Sequence, residues 1–74
     1  KQDYDTALDY YNKVIRLDSN NTVALNGIGN VYCYKQDYDT ALDYYNKVIH
    51  LDNNNTIAND CMQKIYMLKN DHTV

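Results

Sequence analysis

The chain contains no proline, tryptophan, phenylalanine or glutamate, and only two of its 74 residues are glycine. With so little Pro and Gly, the strongest breakers of regular structure are nearly missing. The two cysteines, Cys33 and Cys61, lack the close Cys pair with nearby His pair of a structural zinc site. They read as core thiols in a reducing, intracellular setting, which places the chain in the cytoplasm. Basic residues form no run: Lys1, Lys13, Arg16, Lys35, Lys47, Lys64 and Lys69 are scattered, and the formal charge is −3. That excludes nucleic acid as the expected partner, because phosphates demand a concentrated basic face. No apolar stretch approaches the length that crosses a bilayer, so no membrane partner is expected. A chain this short buries a modest core and is often marginal unless stapled or assembled. Its first residue is Lys, as expected of a piece of something longer or of a processed or engineered chain.

What is present is an internal repeat. Lys1 to Asp18 reads KQDYDTALDYYNKVIRLD and Lys35 to Asp52 reads KQDYDTALDYYNKVIHLD, an offset of 34. Seventeen of those 18 residues agree, the exception being Arg16 against His50. The likeness continues more weakly through Asn20-Asn21-Thr22 against Asn54-Asn55-Thr56 and Tyr32 against Tyr66. Outward-facing positions agree as well, which packing does not require, so tandem duplication or design explains the repeat better than structure.

Within each copy the apolar residues follow a helical period. Tyr4, Ala7, Leu8, Tyr11, Val14 and Ile15 fall three or four apart and share one face. Asp3 or Asp5 can cap the entry to this helix, and Thr22 or the preceding Asn can cap the next. Asp9 precedes Lys13 by four residues, and Asp43 precedes Lys47 likewise, the favourable order for a surface ion pair. Arg16 and His50 occupy the last turn of their helices, where a cation helps. The joints Ser19-Asn20-Asn21 and Asn53-Asn54-Asn55 end the helices, since Asn tolerates turn conformations. Gly27 and Gly29 each cost about 1 kcal/mol relative to Ala inside a helix; close approach of a neighbouring backbone, Gly29 together with Ala41, is the expected compensation. The pattern predicts four helices near 3–17, 22–35, 37–51 and 56–69, with a tail from 70 to 74. Short joints make neighbours antiparallel.

A 34-residue period of paired helices resembles the tetratricopeptide repeat. The family's spaced pattern appears here as Leu25, Ile28, Gly29, Tyr32, Ala41, Tyr45 and Asn53, and its second half recurs as Ala7, Tyr11 and Ser19. Leu25 stands where Trp is usual, Asn or Ser where Pro is usual, and Gln36 at a turn site that is often Gly. The resemblance implies an all-α fold: four helices as antiparallel helix-turn-helix repeats stacked into a right-handed superhelical solenoid. Residues 1–21 would be the second helix of a truncated repeat, 22–55 one complete repeat, and 56–69 a closing first-type helix. Gly29, Tyr32, Ala7, Ala41, Tyr11 and Tyr45 take its packing positions, and Tyr4, Tyr38 and Tyr66 also match interior sites. Tyr10, Tyr34 and Tyr44 are left for a ligand, the next copy or solvent. The N-terminal side reads as a cut face. The C-terminal side, with Asn59 at the Trp site and Gln63 at a small-residue site, reads as a solvating cap.

The function implied by the resemblance is a protein-protein interaction scaffold without catalytic activity or cofactor. First-type helices line a concave face that holds a peptide or helix, here Val23, Asn26, Asn30 and Cys33, then Ile57, Asp60, Lys64 and Met67. Asn30 matches a groove Asn that hydrogen-bonds peptide backbone in relatives; the alternative is that it faces solvent. Relatives that grip chaperone C-termini use several basic residues and Asn, and only Asn30 survives clearly here, with Gly27, Ile57 and Cys61 at other clamp sites. A second reading is a structural spacer or self-associating array with no dedicated ligand, joined through the N-terminal helix face at Ala7 and Tyr11. Near-perfect duplication favours it, since a recognition groove differentiates its repeats. Other chemistry has little support. His50 and His72 lack convergent partners for a metal or catalysis. Asp3, Asp5 and Asp9, and Asp37, Asp39 and Asp43, read as solvated helix surface rather than a calcium site.

Overall fold

A computed structural model of the chain describes residues 3–70. It holds four helices and, among the described residues, no strand: α1 (Tyr4–Leu17), α2 (Thr22–Tyr34), α3 (Tyr38–Leu51) and α4 (Thr56–Asn70). Each lies within a residue or so of its expected span. The tail at 71–74, His72 with it, and Lys1 lie outside the described residues.

The starts are set by side-chain caps. Asp3 Oδ1 accepts from the Thr6 amide at 3.0 Å and its Oδ2 accepts from the Thr6 hydroxyl at 2.6 Å. Asp37 accepts from Thr40 N at 3.3 Å, Asn21 from Ala24 N at 3.0 Å and Asn55 from Ala58 N at 3.0 Å. Each satisfies an amide the helix leaves orphaned. Asp3 rather than Asp5, and Asn21 rather than Thr22, do the capping.

The Asn-rich joints end α1 and α3 as expected, with turns at Ser19-Asn20 and Asn53-Asn54. Among the described residues no Asn takes a left-handed conformation; Gln36 alone does, at φ 66°. After α1 and again after α3 the chain folds back around an aspartate. Asp18 Oδ1 accepts from Asn20 N and Asp52 Oδ1 from Asn54 N, both at 3.2 Å. The joint after α2 instead closes with Gln36 N bonded to Cys33 O and Asp37 N to Tyr32 O, the paired bonds of a Schellman ending.

Consecutive helices pack on one another, and α2 also meets α4. The core gathers Leu25 of α2, Ala41, Leu42, Tyr45 and Val48 of α3, and Ala58 and Ile65 of α4. None of α1 is fully buried. Three expectations fail here. The Asp9–Lys13 and Asp43–Lys47 pairs do not form: among the described residues the ion pair is Lys69 to Asp39, 2.7 Å across α3 and α4. Exposed pairs gain little, and the Lys47 ammonium lies 4.8 Å from the centre of the Tyr44 ring instead. Tyr66, matched to interior Tyr32, is 48% exposed. With Met67 and Leu68 also exposed, α4 presents apolar groups where a solvating cap would be polar.

The two glycines compensate for their cost in a way the sequence did not suggest. A Cβ on Gly29 would sit 2.7 Å from Cε1 of Tyr45, and one on Gly27 would sit 2.3 Å from Cζ of Tyr11. Each glycine makes room for a tyrosine ring from a flanking helix, not for a bare backbone.

Candidate functional site

Because α2 sits between α1 and α3, two of its sides are spoken for. Gly27 takes the Tyr11 ring and Gly29 the Tyr45 ring. The remaining side carries Val23 and Asn30, seven residues apart and thus on one face. On α4, Ile57, Asp60, Lys64 and Met67 repeat at the same helical spacing, opposite the buried Ala58 and Ile65. The helices α2 and α4 approach each other, with Asn26 bonded to Asn55 ahead of α4 and Asn30 to Cys61 within it.

Asn30 and Asn26 join the helices differently. Asn30 Oδ1 accepts from the Tyr45 hydroxyl and from Cys61 Sγ, the latter at 3.7 Å, so one amide oxygen ties α2 to α3 and α4. Its amide nitrogen makes no hydrogen bond among the described residues. Neither earlier reading of Asn30 anticipated this: its oxygen is committed internally, and only its donors remain. Asn26 corrects the expectation outright. It is buried, and its Nδ2 donates to Asn55 Oδ1 at 3.2 Å, so it links α2 to the cap of α4 and is not free for a partner. Its own Oδ1 is buried without a partner among the described residues.

Electrostatics follow from burial. Tyr45 is fully enclosed, and this pushes its hydroxyl far above the ordinary tyrosine range, with the thiols Cys61 and Cys33 adding to the effect. Burial likewise raises the Cys33 thiol; nearby Cys61 reinforces this and the Lys64 cation opposes it. Both cysteines are half-buried and unbridged, packed against the core. The remaining expected positions fall as follows. Val23, Asp60, Lys64 and Met67 are exposed; Cys33, Ala7, Tyr11 and Tyr32 are half-buried; Gly29, Ala41 and Tyr45 are buried.

A cleft of about 420 Å³ lies away from this face, lined by Ser19, Asn20, Leu25, Asp43, Asn46, Lys47, His50 and Leu51. Its counterpart on the first copy is lined by Lys13, Arg16 and Leu17. The one substitution in the duplicated block, Arg16 against His50, therefore falls at the same place on both. The sequence carried that signal, but not the cleft around it. Among the described residues no group of three His, Cys or carboxylate side chains could hold a metal, and no helix is long and apolar enough to cross a membrane.

The tetratricopeptide repeat family model matches residues 22–55, and a second model of the same description matches residues 1–21. The chain belongs to the tetratricopeptide repeat family. No curated protein matches it. Tetratricopeptide repeats generally mediate protein–protein interaction, and the all-helical packing of this array, with small residues under aromatic rings, accords with the match. Each match takes in one copy of the duplicated block, 1–18 and 35–52.

Proposed function

We propose that the side formed by α2 and α4 is a groove for an extended peptide of a protein partner. In this reading residues 22–55 are one complete repeat, 1–21 the second helix of another, and 56–69 the first-type helix that completes the groove. The observation that carries it is the exposure of Val23 (76%), Ile57 (55%) and Met67 (71%) on the same faces as Asn30 and Lys64. Large apolar side chains cost free energy in water, and here they flank a polar middle. The free amide donors of Asn30 suit the unpaired carbonyls of an extended chain. Asp60 and Lys64 would select against peptides of mismatched charge, and Cys33 borders the floor.

The test is selection of unstructured peptides against the 74-residue chain, followed by mapping of amide chemical shifts. Binding should perturb Asn30, Lys64 and Met67, and Val23→Asp or Met67→Asp should weaken it at least about tenfold, the loss of one buried apolar anchor. Peptides that instead perturb the outer face of α1 or α3 would overturn the groove.

Self-association is the second reading, favoured by one comparison within the chain. Ala41, Tyr45 and Val48 are fully buried on α3, whereas Ala7, Tyr11 and Val14, the same residues on α1, are half-buried.

A further inference from the structure

The two thiols of the chain stand on different helices, yet several observations place them beside each other. Cys61 on α4 donates its S–H to Asn30 Oδ1 on α2 at 3.7 Å. Cys33 follows Asn30 by three residues, so it stands one turn further along the same face of α2. Burial raises the Cys33 thiol, nearby Cys61 adds to this, and the Lys64 cation opposes it. Cys61 and Lys64 are themselves one turn apart on α4, so Cys33 lies within electrostatic reach of both turns. Both sulfurs are half-buried, unbridged and packed against the same core.

Half-buried thiols are often no more than small apolar groups. Their place in the fold gives these two another use. Of the helix pairs in contact, α2 and α4 touch most lightly. Among the described residues, the side-chain hydrogen bonds at this seam are Asn26 to Asn55 and Asn30 to Cys61. Both cysteines lie there, one on each side.

We propose that Cys33 and Cys61 form a reversible redox pair, bridged by exchange with a low-molecular-weight disulfide such as oxidised glutathione. One cysteine thiolate attacks the small disulfide, forming a mixed disulfide and expelling one reduced thiol. The other cysteine thiolate then attacks the protein sulfur of that mixed disulfide and expels the second. Two electrons pass from the cysteines to the small disulfide, and the two cysteine protons end on the thiols released. Bridges of this transient kind are the ones that persist as sensors in a reducing compartment.

The bridge has two structural consequences. It closes a covalent loop around the whole of α3, which restricts the unfolded chain more than the folded one. It also removes the S–H from which Asn30 Oδ1 accepts, and leaves that oxygen to the Tyr45 hydroxyl. The lightest helix contact becomes a fixed one. The pair needs no ligand to act, so it stands apart from the peptide groove.

The test equilibrates the 74-residue chain in millimolar mixtures of reduced and oxidised glutathione, followed by acid quench, mass spectrometry and sedimentation. The expected product is a monomer lighter by two hydrogens, with no thiol left to alkylate. It should be half-formed while reduced glutathione still exceeds the oxidised form, and dithiothreitol should reverse it. The bridged chain should melt at least about 8 °C higher than the reduced one, and the Asn30 side-chain amide signals should move. Cys33→Ala and Cys61→Ser, each confirmed as helical by circular dichroism, should stop at a single glutathione adduct and melt no higher. Glutathione adducts or cross-linked dimers of the parent chain in place of the bridged monomer overturn the pair. Thiols that exchange only once urea has unfolded the helices overturn it as well. A bridged monomer that melts no higher than the reduced chain overturns the lock between α2 and α4.

Discussion

The Tyr45 ring lies directly over Gly29, so close that a methyl group in place of the glycine hydrogen would fall 2.7 Å from Cε1. Tyr45 has nowhere to go: it is fully buried, and its hydroxyl is held by Asn30. Gly29→Ala should therefore destabilise the fold by about 1–3 kcal/mol through overpacking, even after the roughly 1 kcal/mol that Ala gains over Gly in a helix. Gly27→Ala meets the Tyr11 ring, but Tyr11 is half-buried on α1 and its ring can swing toward the open side. The expected result is a smaller loss at Gly27, restored by Tyr11→Ala, and no comparable rescue of Gly29→Ala by Tyr45→Ala, which empties the core. Urea unfolding of the five chains measures this; equal losses at the two glycines would refute the locked-ring account.

The Tyr45–Asn30 hydrogen bond sets a second expectation. Tyr45→Phe removes one hydroxyl and leaves Asn30 Oδ1 its contact with Cys61, a cost of about 1 kcal/mol. Asn30→Ala strips a buried hydroxyl of its acceptor and should cost about 1–3 kcal/mol. Loss of peptide binding in Asn30→Ala is thus interpretable only beside Tyr45→Phe. The burial of Tyr45 also gives an alkaline signature. Burial raises the Tyr45 hydroxyl above its ordinary 10.0, so the unfolded chain releases that proton first. The stability Tyr45 supplies is complete below pH 10 and declines as pH rises beyond it. Phenolate absorbance should show one tyrosine ionising only as the helices melt, and Tyr45→Phe should flatten the decline.

Much of this was legible in advance, and the misses have common physical causes. The 3.6-residue pattern of Tyr4, Ala7, Leu8 and Tyr11, read twice, is enough to place α1 and α3, because burial of one stripe is what holds such helices. Because capping is local, the sequence narrowed each cap to two neighbours, Asp3 or Asp5 and Asn21 or Thr22, and only the structure chose between them. The use of Gly27 and Gly29 was not, since the rings that need the space come from helices a dozen or more residues away. Asn26 illustrates the same limit: the family resemblance put it on the same face as Asn30, but its side chain is committed to Asn55, 29 residues on. The ion pairs failed for an energetic reason. At an exposed helix surface, spacing permits a pair but little free energy enforces it, and Lys47 finds an aromatic face instead.

Gln36 offers a stabilising substitution. It ends α2 at φ 66°, a left-handed conformation that crowds the Cβ of any L-residue and that glycine adopts without strain. Its amide bond to Cys33 O and the following Asp37 bond to Tyr32 O are made by backbone alone, so they survive loss of the side chain. Gln36→Gly should stabilise the chain by about 0.5–1 kcal/mol, the steric relief less the added freedom of the unfolded chain. For a domain of this size that corresponds to a rise in melting temperature of about 2–8 °C. An unchanged or lower midpoint would mean that the turn relaxes away from this conformation in solution.

At the other end of the pH scale, Asp3 is the group to watch. The Thr6 hydroxyl and amide both donate to its carboxylate, and they hold its pKa below the ordinary 3.8. A depressed carboxylate stabilises the fold above the unfolded pKa, and the contribution drains away as pH falls below 3.8 toward the folded value. The site is fully exposed, so the consequence is local: the first turn of α1 should fray in that window while the core of α3 persists. Thr6→Val retains the amide bond but deletes the hydroxyl, and should bring the Asp3 titration back toward 3.8. Carboxyl chemical shifts followed through an acid titration, with amide exchange at Ala7 and Leu8 against Tyr45, would show both effects. An Asp3 that titrates at the ordinary value in the parent chain would remove the hydroxyl from the account of how α1 begins.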